Sequence, residues 1–116
     1  MRVLVCGGRD YKNWATITKT LDALTVTLLI HGAAPGADTL ASVWACTQRV
    51  PQLPFPVTDA DWERLGKKAG PMRNARMLTE GKPDLVVAFP GGRGTADMVR
   101  QAKAVGVRVI AASTSA

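Results

Sequence analysis

With 116 residues, 47% of them hydrophobic and 21% charged, the chain has the size and balance of one globular domain, which excludes a disordered chain and two separate cores. No stretch approaches the roughly 20 apolar residues of a membrane helix, so no membrane partner is expected. A formal net charge of +6, from 15 Lys+Arg against 9 Asp+Glu, fits either plain solubility or an anionic partner such as a nucleotide or nucleic acid.

The placement of the basic residues separates those two readings, so the elements are taken in order. Arg2–Cys6 is an apolar run with no signal-peptide pattern before it, which predicts a buried strand and a soluble cytoplasmic protein. Gly7-Gly8 turns the chain. Trp14 to Leu24 carries Ile17, Leu21 and Leu24 at helical spacing, with Asn13 at the N-cap position. Val26–Ile30 reads as a second buried strand, followed by a Gly/Pro loop over residues 31–36. A helix is predicted from Ala37 to about Arg49, where Leu40, Val43 and Trp44 form the apolar set. Prolines 51, 54 and 56 bracket a short edge strand near Leu53–Val57. Thr58–Ala69 is polar and reads as loop. Gly70-Pro71 opens a helix to about Thr79, stopped by Gly81-Lys82-Pro83. Asp84–Phe89 is a strand, Thr95–Val105 a helix and Val107–Ala112 the last strand; Ser113–Ala116 reads as a frayed tail.

The alternation of continuous apolar strands with helices predicts a single Rossmann-like domain over residues 1–116. It is a three-layer α/β fold around a five-stranded parallel sheet, in the order 3-2-1-4-5. Ligands in such sheets bind beyond the carboxyl ends of the strands, where the order reverses. Every unusual segment falls on that edge: Gly7-Gly8-Arg9-Asp10, His31–Asp38, Asp59–Trp62, Gly70–Asn74 and Pro90–Asp97. The connections on the other edge are short and plain.

Pro90-Gly91-Gly92-Arg93-Gly94-Thr95 lets main-chain N–H groups approach an anion at a helix N-terminus, or is simply a tight turn; Thr95 is the expected N-cap. Arg73, Asn74 and Arg76 follow Pro71 and suit phosphate and base or ribose recognition, Arg73 being expected to face solvent. Gly8, Arg9, Asp10, Gly32, Gly36 and Asp38 complete the candidate ligand-binding set. Asp10 and Asp38 serve either as helix caps or as ligand contacts, Trp62 either stacks on a base or packs, and Lys67 and Lys68 are plain surface or a steering rim. His31 reads as structural. Cys6 and Cys46 share no metal-ligand spacing, so two buried reduced thiols, no metal and no cofactor are expected.

These segments, spread over nearly the whole chain, resemble the SLOG superfamily (SMF/DprA and LOG-like Rossmannoid proteins), in its YspA or YpsA-related branch. The resemblance implies a Rossmannoid fold binding nucleotides or nucleotide derivatives. The Lonely Guy (LOG) relatives are dimeric phosphoribohydrolases that use an Arg and the Glu of a PGGxGTxxE motif. Here Met98 stands at the Glu position and Asp97 precedes it, about 100° away around a helix. The strand-2 loop also departs, with Pro35 where the branch carries Arg in HGGARGAD.

The preferred expectation is binding without turnover, as a sensor or sequestering protein for a signalling nucleotide, NAD- and ADP-ribose-derived ligands included. The competing readings are a nucleotide N-glycosidase using Asp97, Asp10 or Asp38, and single-stranded nucleic-acid binding, against which stands an aromatic content of 5%. A homodimer is a further expectation, with Trp44 beside Val43 as a helical contact and a buried Trp44 as the competing account.

Overall fold

Val3 to Cys6 and Leu85 to Phe89 are buried along their whole length, which forces these strands into the middle of a sheet covered on both faces. The computed structural model describes residues 1–112, so the predicted frayed tail lies outside the described residues. Its elements are β1 (Arg2–Cys6), α1 (Trp14–Asp22), β2 (Leu28–His31), α2 (Ala37–Gln48), β3 (Gln52–Pro54), α3 (Asp59–Leu65), a 3-10 turn (Gly66–Lys68), α4 (Ala69–Gly81), β4 (Leu85–Ala88), α5 (Arg93–Ala104) and β5 (Arg108–Ala111). All four pairings are parallel, in the order β3-β2-β1-β4-β5. The predicted topology and fold class therefore hold.

Strand side chains alternate between two apolar layers. Val3, Val5, Leu29, Leu85 and Val87 pack with Ile17 and Leu21 of α1 and Ala41, Trp44 and Ala45 of α2. Leu4, Cys6, Ile30, Val86 and Ala88 pack with Met77 and Leu78 of α4 and Met98 and Ala102 of α5.

Several expectations need correction. Thr58–Ala69 is not loop: the Thr58 hydroxyl accepts from the Asp61 N–H and the Asp61 carboxylate accepts from the Thr58 N–H, a capping box that starts α3. No residue of α3 is buried, so no apolar period betrayed it. α5 starts two residues early, with Gly92 rather than Thr95 at its N-cap. α4 runs past Thr79 to Gly81, where Lys82 adopts the left-handed conformation at φ 50°. β2 is displaced to Leu28–His31 and β3 is only Gln52–Pro54.

Trp44 is core, 4% exposed, with its indole N–H donating to Asp22 Oδ1 at 2.8 Å, so it cannot supply the contact between copies. Cys6 is buried as expected but Cys46 is exposed. No helix among the described residues is long and apolar enough to cross a membrane.

Candidate functional site

Three loops interlock at the carboxyl edge through their main chains. Gly8 N–H donates to Pro90 O at 2.8 Å, joining the loops after β1 and β4 where the strand order reverses. Gly8 O in turn accepts from Ala37 N–H at 3.1 Å and Tyr11 N–H at 3.2 Å, tying in the start of α2. Such close approach leaves no room for a Cβ. One on Gly91 would lie 2.6 Å from Gly8 N, and one on Gly7 would lie 2.5 Å from the Ala37 Cβ. Gly36, at φ 81°, abuts the Gly8 and Arg9 carbonyls.

Gly92 and Gly94 are different. Nothing lies within 4 Å of the Cβ position of either, and neither has a positive φ. Gly92 is the N-cap of α5 and Gly94 lies in its first turn, which has no side-chain cap; the first helical bond is Ala96 N–H to Gly92 O. The N–H groups of Arg93, Gly94 and Thr95 thus have no intrahelical acceptor. Asn13 caps α1 and Thr58 caps α3, whereas α2 and α4, like α5, have no side-chain cap. Arg93 is exposed in this same turn, where a cation opposes the helix dipole unless an anion lies between them.

The loop after β2 is held by charge from both sides. Asp38 Oδ2 accepts from the N–H groups of Gly32 at 3.0 Å and Ala34 at 3.2 Å. Arg73 Nη1 donates to Gly32 O at 2.7 Å and Phe55 O at 3.3 Å. Burial pushes the Asp38 carboxyl above its ordinary value, while the two loop N–H groups, His31 and Arg73 pull it back. Burial likewise lowers Arg73, opposed by Asp38 and reinforced by the positive charge of nearby Arg9. His31 is structural as expected. Its Nδ1 accepts from Ala33 N–H at 3.0 Å, which leaves the proton on Nε2, donating to Gln52 Oε1 at 2.9 Å.

Asn74 connects that side to α5. Its Oδ1 accepts from Arg73 Nε at 3.2 Å, while Nδ2 donates to Gly94 O at 3.2 Å and Asp97 Oδ2 at 3.0 Å. Asp97 also accepts from Arg100 and from Gln101 Nε2 at 2.7 Å. Met98, at the motif Glu position, is fully buried in the core.

The residues picked out from the sequence thus largely converge: the glycines, Asp38, Arg73, Asn74 and Pro90 to Thr95 form one continuous edge, with Arg9 and Asp10 exposed beside it. Two do not behave as expected. Arg76 turns away, pairing with Glu80 at 2.9 Å and lying 5.5 Å over the Phe55 ring. It lines a groove of about 490 Å3 on the β3 edge with Pro56, Thr58 and Asp61. Arg73 is half-buried rather than solvated. Pro71 O, near the start of α4, accepts at 3.1 Å from Gln101 Nε2, the same nitrogen that donates to Asp97 Oδ2. Asp10 caps nothing, since Asn13 caps α1. Asp38 caps no helix end and instead braces the preceding loop. Trp62 is 41% exposed, so it is not a core residue.

Sequence reasoning passed over Tyr11. Its ring lies 5.4 Å from Phe89, and its buried hydroxyl has no hydrogen-bond partner among the described residues. No charge or spacing marked it. Among the described residues no group of three His, Cys, Asp or Glu side chains is arranged to hold a metal ion.

The family model described as "YspA, cpYpsA-related SLOG family" matches residues 1–65. The chain belongs to this family. Consistent with that, it is 42% identical over 120 residues to the Gene 61 protein of Mycobacterium phage D29, with 94% of each chain covered. Its fold is similar to that of DNA processing protein A (DprA) from Streptococcus pneumoniae, at a TM-score of 0.55 and 18% identity. The match covers 94% of this chain and 58% of that one, so the SLOG chain spans little more than half of its neighbour. Family membership points to nucleotide-related binding or processing.

Proposed function

We propose that this SLOG protein binds a nucleotide or nucleotide-derived ligand at the carboxyl edge of its sheet and acts by sensing or sequestering it. NAD- and ADP-ribose-derived signalling molecules are within that class. One observation carries the reading: the first turn of α5 is uncapped and open at the point where the strand order reverses. Free N–H donors, the positive end of a 12-residue helix and the exposed guanidinium of Arg93 all favour a phosphate there. Arg9 adds a second exposed cation on the facing loop.

Single-stranded nucleic acid is the alternative occupant, supported by the +6 charge. One titration separates the two. Calorimetry with nucleosides, their mono- and diphosphates, dinucleotides and a short single strand, at two salt concentrations, gives the discriminating pattern. Affinity that requires a phosphate, saturates at one ligand per chain and changes little with salt supports the small-ligand site. Tight binding of the strand alone, falling steeply with salt, or equal affinity for unphosphorylated nucleosides, overturns it. Mass spectrometry of molecules retained through purification would identify the ligand.

A further inference from the structure

Asn74 looks from its type and position like a ligand contact, yet it is only 4% exposed and three of its hydrogen-bonding capacities are already used. Those three bonds go to two different parts of the edge. Oδ1 receives Arg73 Nε, whose guanidinium holds Gly32 O and Phe55 O, the loops after β2 and β3. Nδ2 reaches Gly94 O and Asp97 Oδ2, both in the first two turns of α5. The pattern also fixes the amide orientation, because a flipped Asn74 would set an oxygen against two acceptors and an N–H against Arg73.

Resting on the reading of the carboxyl edge as a nucleotide site, we infer that Asn74 is a positioning residue that never touches the ligand. It sets the open N-terminal turn of α5 against the loop that Arg73 and Asp38 hold. No other side chain among the described residues hydrogen-bonds both Arg73 and α5. Asp97 is the α5 end of this coupling. Its further bonds to Arg100 and Gln101, on the same helix, make it a rigid anchor rather than a mobile carboxylate.

The test is a swap. Asn74→Asp puts an acceptor against both Gly94 O and Asp97, and should weaken nucleotide binding about tenfold. Adding Asp97→Asn restores the donor–acceptor pair between residues 74 and 97 but not the bond to Gly94 O, keeps the net charge of the native chain, and should recover part of the loss. A direct ligand contact would not be rescued this way, and affinity lost equally in the single and double variants overturns the inference. So does unchanged affinity in Asn74→Asp. If Asn74→Asp does not fold, Asn74→Ser, which keeps a short donor, serves in its place and should lose less. Amide resonances provide a readout independent of any ligand. The substitution should shift Gly32–Ala34 and Arg93–Thr95 together and leave β5 in place; shifts confined to one side refute the coupling. If the native protein binds none of the nucleotides while both loops still shift together, the site reading fails and the coupling stands.

Discussion

Arg73 and Asp38 grip opposite ends of one residue: Arg73 donates to the Gly32 carbonyl at 2.7 Å, and Asp38 accepts from the Gly32 N–H at 3.0 Å. A Cβ on Gly32 would run into the guanidinium and force it to shift. Arg73→Ala is therefore expected to lower stability as well as affinity. Charge-assisted bonds to carbonyls, discounted for partial exposure, contribute about 1–2 kcal/mol. Thermal denaturation should show a fall of roughly 5–10 °C for a domain of this size. A melting temperature equal to that of the native protein would return Arg73 to the solvated surface.

Asp38 gives a signed pH dependence. Its carboxyl titrates above the ordinary value because it is buried. Between the unfolded and the folded value the native state holds more protons than the unfolded one, so the Asp38 contribution is full at low pH and declines as pH rises through its titration. Asp38→Asn keeps an oxygen for the Gly32 and Ala34 N–H groups and removes the titrating proton. Urea denaturation of both proteins across the acid range should show this declining component only in the native sequence. Parallel curves would mean that Asp38 is not desolvated.

The strand order was readable because β1 and β4 are apolar on both faces and every glycine-rich turn follows a strand; right-handed crossovers then leave little choice. What stayed hidden has a common cause. α3 buries nothing, so its start is written only in the Thr58–Asp61 cap. The burial of Arg73 and Asn74 depends on Gly32, Phe55 and Gly94, which lie 41, 18 and 20 residues away in sequence. Helical spacing within α4 carries no record of loops packed against it. The same holds for Arg76, whose partner Glu80 is visible at four residues but whose ring contact with Phe55 is not.

Gly94→Ala separates fold from function. The position is helical, its Cβ would meet open space, and alanine favours the helix by about 0.5–1 kcal/mol. The substitution should raise the melting temperature slightly and weaken nucleotide binding at least severalfold, because the added methyl stands where the phosphate must approach. A stabilised variant with native affinity would place the ligand elsewhere.

The two thiols should differ sharply. Burial, and to a lesser degree the Asp38 carboxylate, push the Cys6 thiol up to about 12, whereas Cys46 is exposed with its Sγ accepting from Gln52 Nε2 at 3.3 Å. A chromogenic disulfide reagent at pH 8 should modify one thiol per native chain quickly and the second only on unfolding. Cys46→Ser should abolish the fast phase. Two equally fast thiols would contradict the packing of Cys6, on β1, in the apolar layer it shares with α4 and α5.

Glycosidic cleavage requires a carboxylate beside the ribose, to steady developing positive charge or to direct a water. At the position where the LOG pattern puts that group, Met98 is fully buried against the sheet and offers no charge. Asp97 is held by Asn74, Arg100 and Gln101, and Asp38 by two loop N–H groups. Neither can take up a new position without giving up bonds that hold the edge together. Asp10 is exposed, but it projects from the loop after β1 rather than from α5. Incubation with a panel of nucleoside monophosphates, followed by chromatography of free base, should therefore show no release above the uncatalysed background. Turnover of about 1 per second or faster, abolished by Asp97→Asn or Asp10→Asn, would make this an enzyme and would require a ligand pose in which that carboxylate leaves its present setting.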